Sequence, residues 1–174
     1  MAKTPPKKKI EQRQAEMRKQ VFGEVDPGWV WHRLKSKGFT TLPRTMPLIG
    51  AIMDGLAGKG KPVSTTYLEL WSRSNDDGFL VLSKPGDTSF ASGFSGQRGI
   101  STWKERVRKL EELNFIRTKP GASGALHYVQ IWNPYLVIKR HHQEGTSGFS
   151  EAHYNALFER VQEIGARDLD DLVE

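Results

Sequence analysis

The sequence of 174 residues contains no cysteine, which excludes disulfide bonds and thiolate metal sites. Long apolar runs are also missing, and a stretch such as Phe79 to Leu82 is far too short to cross a bilayer. The basic start is not followed by the apolar core that a secretory signal requires. These absences favour a soluble, intracellular protein without a membrane partner, and we expect it in the cytoplasm.

Residue patterns that would indicate catalysis are missing as well. The short glycine-lysine run at 58–61 lacks the length and the following Ser or Thr of a phosphate-binding loop. None of the histidines stands in a metal-ligand or triad spacing. They are His32, His127, His141, His142 and His153. We therefore expect no catalytic residues, no metal, no cofactor and no enzymatic activity.

What the chain does have is unevenly distributed charge, with a net value of +6. Residues 1–22 carry seven Lys or Arg against two Glu, and residues 97–119 carry seven basic groups against three acidic ones. Residues 144–174 reverse the sign, with two basic and eight acidic side chains. Two separate basic segments favour a polyanionic partner, and nucleic acid is the first candidate.

The second basic segment belongs to a characteristic order of predicted elements. A short helical segment over 87–92 ends at Gly93, and after a polar turn a strongly patterned helix follows over 101–114. Two strand-like runs, 115–119 and 126–132, then flank a loop that contains two glycines. This order is typical of a winged helix-turn-helix, so we predict a mainly helical α+β fold with a small β-hairpin wing.

The remaining chain divides around this module. Residues 1–22 form a basic arm that is disordered or loosely helical, residues 23–144 form the winged helix-turn-helix domain, and residues 145–174 form a linker with an acidic helix. Pro47 suits the first turn of a helix whose apolar residues step by three and four. A second helix would follow, capped by one of three hydroxyl side chains. These are Ser64, Thr65 and Thr66.

The faces of the patterned helix follow from its predicted start. Thr102 and Glu105 have the spacing of a capping box, which places the start of the helix near Trp103. An apolar stripe should then pack inward. It consists of Trp103, Val107, Leu110 and Asn114, with Leu113 beside it.

Duplex DNA is the predicted partner, because the first turn of a helix in the major groove reaches base edges. The candidate contacts on this helix are Arg98, Ser101, Thr102, Lys104 and Arg108. The wing would add Arg117 and Lys119, and the arm would add Lys7, Lys8 and Lys9. Two alternatives stay open: a solvated helix face held by intrahelical pairs such as Arg108 with Glu112, and a wing that is merely a hairpin loop.

The C-terminal helix should begin near Ser150 and carries an apolar face. The face consists of Tyr154, Leu157, Phe158, Val161 and Ile164. Such a stripe must be covered, either by the protein's own domain or by another chain, which would be a second copy or a different protein. The segment from Gly145 to Gly148 could act as a flexible hinge, and this favours a homodimer through the helix.

Three segments carry a resemblance to a known group of proteins. They are GFTTLPRTMPLI at 38–49, GFSGQR at 93–98 and KPG at 119–121. In these segments the chain resembles small winged-helix proteins of bacterial plasmids and integrating mobile elements, over roughly residues 29–140. The resemblance implies a DNA-linked role, as a transcriptional regulator or as a replication or maintenance factor associated with the nucleoid. The alternative is a protein-interaction adaptor within a larger nucleoprotein complex, because winged helices also bind proteins.

Overall fold

A computed structural model of the protein describes residues 6–169, with side chains from Lys9 onward. The chain forms two compact units, one that ends at Thr41 and one that begins at Leu42. The last five residues of the acidic C-terminal segment lie outside the described part.

The first unit consists of a long helix and a short connecting segment. Helix α1 (Pro6–Phe22) is followed by a single 3-10 turn at Pro27–Trp29, which is capped by the carboxylate of Asp26. Almost every described side chain of this unit is exposed, including both tryptophans. The described part of the unit therefore has no buried hydrophobic core of its own.

The second unit is a mixed α+β fold, which confirms the predicted class at that level. Its elements are α2 (Met46–Ala57), α3 (Ser64–Arg73), β1 (Phe79–Val81), α4 (Pro85–Ala91), α5 (Gly99–Glu112), β2 (Ile116–Gly121), β3 (Gly124–Ile131), α6 (Pro134–Gln143) and α7 (Glu151–Glu163). No helix among residues 6–169 combines the length and apolar character needed to span a membrane.

The three strands form one antiparallel sheet in the order β1-β3-β2. Val129 of the central strand lies opposite Leu80 on one side and Thr118 on the other. Side chains at these positions face inward, and Val129 is fully buried, whereas their neighbours along each strand are mostly exposed. Because side chains alternate along a strand, the sheet has one face against the core and one face towards solvent.

A single hydrophobic core joins the helices to the inner face of the sheet. Trp103 and Tyr67 are its largest fully buried side chains. Other members are Ile49, Ile52, Leu70, Leu110, Phe115, Ile116, Ile138 and Leu157. Trp103 on α5 therefore belongs to the core, as predicted, and is not a platform for bases.

Helices α2 and α3 follow the predicted pattern except at the start of α3. Pro47 lies in the first turn of α2, as predicted. The N-terminus of α3 is capped by Asp54 of α2, whose carboxylate accepts hydrogen bonds from the backbone N–H of Val63 at 2.6 Å and of Ser64 at 2.8 Å. The predicted cap from Ser64, Thr65 or Thr66 is therefore wrong. The capping group comes from the preceding helix, so local sequence does not reveal it.

The apolar face of α7 is covered within the chain except at Phe158, which remains 41% exposed. Leu157 and Val161 are buried in the common core, and α7 packs against α2. The connecting segment is held closely, because a Cβ atom on Gly148 would lie 2.5 Å from the carbonyl oxygen of Gly55. The segment is therefore packed against α2, while the expected hinge at 145–148 stays a prediction. Of the two alternatives for the apolar face, the structure has packing of its central residues on the protein's own domain. The homodimer through α7 stays a prediction, with Phe158 as the residue of this face left exposed.

A buried histidine anchors the same segment. The imidazole of His141 on α6 hydrogen bonds through Nε2 to the carbonyl oxygen of Leu113 at 2.9 Å and through Nδ1 to Oγ1 of Thr146 at 3.0 Å. Its ring also stacks on Phe115. His141 thus links the end of α5 to the start of the final segment and has a structural role.

Candidate nucleic-acid interface

Helices α4 and α5 are joined by a tight turn over residues 92–98. Gly93 and Gly96 adopt positive φ angles of 90° and 78°, a conformation that favours glycine. The backbone N–H of Phe94 donates to the carbonyl oxygen of Ser89 at 3.0 Å, and a Cβ atom on Gly99 would lie 3.0 Å from the backbone of Phe94. This close packing fixes the position of α5 relative to α4.

Helix α5 begins earlier than the predicted capping box requires. It starts at Gly99 with Arg98 at the N-cap position, and the N–H of Thr102 donates to the carbonyl oxygen of Arg98 at 3.0 Å. Thr102 therefore lies inside the helix and does not cap it, so the prediction of a start near Trp103 is wrong. The physical reason lies in the segment before the helix. The N–H of Gly99 donates to the carbonyl oxygen of Gly96 at 3.1 Å, and the helix begins there, about one helical turn earlier than predicted.

The inward face of α5 agrees with the predicted stripe except at its end. Trp103, Val107 and Leu110 are completely buried. Asn114 is exposed, because the helix ends at Glu112 and Asn114 adopts a left-handed conformation with a φ angle of 61°. Its predicted place in the stripe is therefore wrong, while the orientation of the rest of the helix is confirmed.

The outward face of α5 carries half of the predicted DNA contacts. Ile100, Lys104 and Arg108 follow one another at intervals of four residues and are exposed. Arg98 and Ser101 are exposed beside them at the start of the helix, whereas Thr102 is half-buried. We call these six residues the α5 outer face.

The two cations in the middle of this face, Lys104 and Arg108, are not engaged in the ion pairs formed by the described residues. Within residues 9–169, neither Lys104 nor Arg108 forms an ion pair, because Glu112 pairs with Lys109 at 3.1 Å. The pair of Arg108 with Glu112, which the alternative interpretation of this face required, is therefore not formed. The α5 outer face presents positive charge that no neighbouring carboxylate neutralises directly.

Two charged residues of α5 have structural partners instead. The guanidinium of Arg106 donates through Nη2 to the carbonyl oxygen of Gly60 at 3.4 Å, in the loop before α3. The carboxylate of Glu111 accepts hydrogen bonds from both the N–H and the hydroxyl of Thr118, each at 2.8 Å. Glu111 thus connects α5 to β2, so the orientation of the helix and of the hairpin are coupled.

The two predicted wing contacts lie on a different surface. Arg117 and Lys119 are exposed on β2, where they lie opposite Gln130 and Tyr128 of β3. Their neighbours Ile116 and Thr118 face the core and α5, so alternation turns Arg117 and Lys119 to the solvent side of the sheet. The predicted contacts of the second unit are therefore divided between the α5 outer face and the sheet.

The hairpin tip is shorter and more closely packed than predicted. Both strands extend into the predicted loop of 120–124, and only Ala122 and Ser123 separate them. The hydroxyl of Ser123 hydrogen bonds to Nδ1 of His127 at 2.6 Å and to the carbonyl oxygen of Leu82. The tip is thus fastened to its own strand and to the end of β1. His127 is buried there and has a structural role.

The solvent side of the sheet also holds two aromatic rings that sequence reasoning missed. Phe79 and Tyr128 stack with ring centroids 6.1 Å apart and an interplanar angle of 20°. Their side chains remain 39% and 40% exposed. The run at 79–82 is strand-like in sequence and forms β1, but its pairing with β3 is not visible in local sequence, so the two rings could not be placed together. We call Phe79, Val81, Arg117, Lys119, Tyr128 and Gln130 the outer sheet face.

The basic arm is described only in part. Lys9 lies exposed on α1 in the first unit, whereas the side chains of Lys7 and Lys8 lie outside the described residues. Across the described chain, no group of three or more His, Asp or Glu side chains is placed to hold a metal ion. Comparison of the chain with protein-family models, with curated proteins and with solved structures found no match.

Proposed function

We propose that this chain is a winged-helix protein that binds duplex DNA through the α5 outer face. The order of its elements supports the proposal: helix α3, strand β1, helices α4 and α5, and then the hairpin of β2 and β3. The pairing of β1 with the second strand of the hairpin agrees with the same arrangement. In helix-turn-helix proteins the second helix of the pair enters the major groove, and here that helix is α5.

One observation carries the proposal. The α5 outer face joins the exposed Ile100 and Ser101 of the first helical turn to unpaired cations, while the opposite side of the same helix is completely buried. A helix N-terminus attracts phosphate because its first N–H groups lack intrahelical partners. A helix fixed by its buried stripe can thus present its first turn and its cations to one groove.

The residues have distinct expected roles. Arg98 and Arg108 are suited to a bidentate contact with guanine, whereas Lys104 is suited to a phosphate. Ser101 and Thr102 can bond to bases or phosphates, although the hydroxyl of Ser101 already donates to the carbonyl oxygen of Arg98 at 2.9 Å. The remaining cations would add phosphate contacts that carry no sequence information. They are Arg117, Lys119, Lys7, Lys8 and Lys9.

The biological setting rests on the resemblance alone. A plasmid or mobile-element protein of this kind would act in the cytoplasm, on the nucleoid, as a transcriptional regulator or as a replication or maintenance factor. It would need neither a cofactor nor a metal.

Titration of a fluorescent duplex at several salt concentrations tests the proposal. The logarithm of the affinity should fall linearly with the logarithm of salt, with a slope of about −0.9 for each neutralised phosphate. Binding that is absent at low salt, or that does not change with salt, would contradict the proposal.

Substitution then tests the assigned face. Lys104→Ala should weaken duplex binding and reduce the salt slope by about one. Arg98→Ala should reduce the preference for a selected target over random duplex. The matched control is Arg160→Ala, which removes the same charge from α7, where Arg160 pairs with Glu163 at 2.8 Å. An equal effect of Arg160→Ala would mean that net charge, and not the α5 outer face, determines the affinity.

A second candidate function is that of a protein-interaction adaptor. Phe90 on α4 is 73% exposed, and Ile100 on α5 is exposed as well. A Cβ atom on Gly86 would lie 3.8 Å from Cδ1 of Ile100, and Gly86 lies one helical turn before Phe90. This apolar surface beside the cations favours a protein partner. Duplex binding by the isolated chain, unchanged in Phe90→Ala, would favour the first function.

A further inference from the structure

The outer sheet face combines aromatic rings and cations in one flat array. In one row across the strands, Phe79 of β1 lies opposite Gln130 of β3, which in turn lies opposite Arg117 of β2. In the next row, Val81 lies opposite Tyr128, and Tyr128 lies opposite Lys119. Each cation is therefore within one or two strands of an exposed aromatic ring, and neighbouring strands are about 4.8 Å apart.

The charge of this face is of one sign. Its six positions include two cations and no carboxylate. Glu111 is turned to the other side, where it holds Thr118. Two exposed acidic residues, Asp76 and Asp77, precede β1 and lie outside these six positions; the carbonyl oxygen of Asp77 accepts a hydrogen bond from the side chain of Gln130 at 2.8 Å. The array therefore suits an anionic ligand that also offers flat, apolar surfaces.

The ring of Tyr128 is held in place by its contacts with Gly121, His127 and Phe79. A Cβ atom on Gly121 would lie 2.9 Å from its Cε2 atom, so only glycine leaves room for the ring at this position. The edge of His127 contacts the same ring, with centroids 4.4 Å apart, and Phe79 stacks beside it. A ring that is fixed before binding loses little conformational freedom when a ligand stacks on it.

We propose that the outer sheet face binds single-stranded nucleic acid, with bases stacked on Phe79 and Tyr128 and phosphates bound by Arg117 and Lys119. Exposed aromatic rings combined with a basic surface are the usual means of binding single strands without sequence preference. A duplex does not fit the array in the same way, because its base faces are already covered by stacking. This inference does not depend on the duplex-binding role of α5.

The experiment uses the full-length protein and a fluorescent 20-nucleotide oligothymidine, with binding measured by anisotropy at low salt. Tyr128→Thr removes the ring and keeps a side chain that suits a strand. It should weaken binding about 5- to 150-fold, the range expected for loss of one base–aromatic stack. Tyr128→Phe keeps the ring and should bind within about twofold of the parent. Phe90→Ala removes an exposed phenylalanine from α4 and should leave the affinity unchanged.

A second substitution on another strand guards against local misfolding. Phe79→Val should weaken oligothymidine binding in the same direction and leave duplex binding unchanged. Lys104→Ala should weaken duplex binding and leave oligothymidine binding unchanged, so failure of one site is distinguishable from failure of the other. The proposal is overturned if oligothymidine does not bind, if Tyr128→Thr and Phe79→Val bind as tightly as the parent, or if Lys104→Ala abolishes oligothymidine binding.

Discussion

The α5 outer face and the outer sheet face both present cations to solvent, but their shapes differ. On α5, Lys104 and Arg108 project from a single convex helix, and Ile100 and Ser101 of its first turn are exposed. On the sheet, Arg117 and Lys119 border a flat surface with two exposed rings. Similar charge on a helix and on a flat sheet favours different ligands, since a helix can enter a groove of duplex DNA and exposed rings on a sheet can accept stacked bases. Net charge alone therefore does not distinguish the ligands proposed for the two surfaces.

The two surfaces also differ in how the chain builds them. The α5 outer face follows from a local pattern, because the buried stripe of Trp103, Val107 and Leu110 determines what faces outward. The outer sheet face requires three strands to meet, and Phe79 and Tyr128 are 49 positions apart in the sequence. Three predictions test how each surface is supported.

The largest expected effect is on the buried side of α5. Leu110→Ala removes core methylenes and should lower the free energy of unfolding by about 2–5 kcal/mol. Lys104→Ala, on the α5 outer face, should change it by no more than about 0.5 kcal/mol. Chemical denaturation of both variants measures the difference. Equal losses of stability would mean that the helix is rotated from the orientation described.

A smaller effect is expected where the hairpin supports the sheet. Gly121→Ala places a Cβ atom 2.7 Å from Cγ of His127 and 2.9 Å from the ring of Tyr128. Because His127 is buried and cannot move freely, overpacking should cost about 1–3 kcal/mol. The same variant should weaken oligothymidine binding more than duplex binding, since it displaces Tyr128.

A matched glycine serves as the control for this substitution. Gly86→Ala in α4 brings a Cβ atom only to 3.8 Å from Ile100, an ordinary contact. It should leave stability unchanged or raise it by about 0.5–1 kcal/mol, because alanine is the better helix former. A cost for Gly86→Ala as large as that for Gly121→Ala would show that the loss does not come from the contact with His127.

Local sequence patterns predicted most of the helices and strands, whereas contacts between distant residues determine where several helices begin and end. The stripe on α5, the Pro47 start of α2 and the apolar face of α7 could be predicted, because each depends on spacing within one helix. The cap of α3 could not, because Asp54 reaches it from another helix. The capping box at Thr102 was wrong because the turn at Gly96 and Gly99 starts the helix earlier.

The candidate site was predictable to the same extent. The cations of α5 were identified from the helical pattern, and their exposure follows from the buried stripe. The hairpin of β2 and β3 was predicted, but the position of Arg117 and Lys119 on a second surface depends on the contact of Thr118 with Glu111, which local sequence does not reveal. The aromatic half of that surface, Phe79 with Tyr128, depends on the pairing of β1 with β3.

The smallest expected effect lies in the layer beneath both surfaces. Tyr67 of α3 packs edge-on against Phe115, which joins α5 to β2, with ring centroids 6.2 Å apart. Within the described part of the chain, its buried hydroxyl has no hydrogen-bond partner. A buried hydroxyl without a partner is destabilising, so Tyr67→Phe should raise the free energy of unfolding by about 1 kcal/mol at neutral pH.

The stability difference between Tyr67→Phe and the parent protein should also depend on pH. Burial raises the pKa of the Tyr67 hydroxyl well above its ordinary value of 10.0. Above pH of about 10 the unfolded chain releases this proton while the folded chain keeps it, so the stability of the parent protein falls as the pH rises. Tyr67→Phe removes that loss and leaves the one from Tyr135, whose pKa is also raised by burial. The stability advantage of the variant should therefore increase between pH 9 and pH 11, as measured by urea unfolding. Tyr128→Phe, at an exposed tyrosine, is the control for the substitution itself, and an advantage that stays constant with pH would contradict the burial of the Tyr67 hydroxyl.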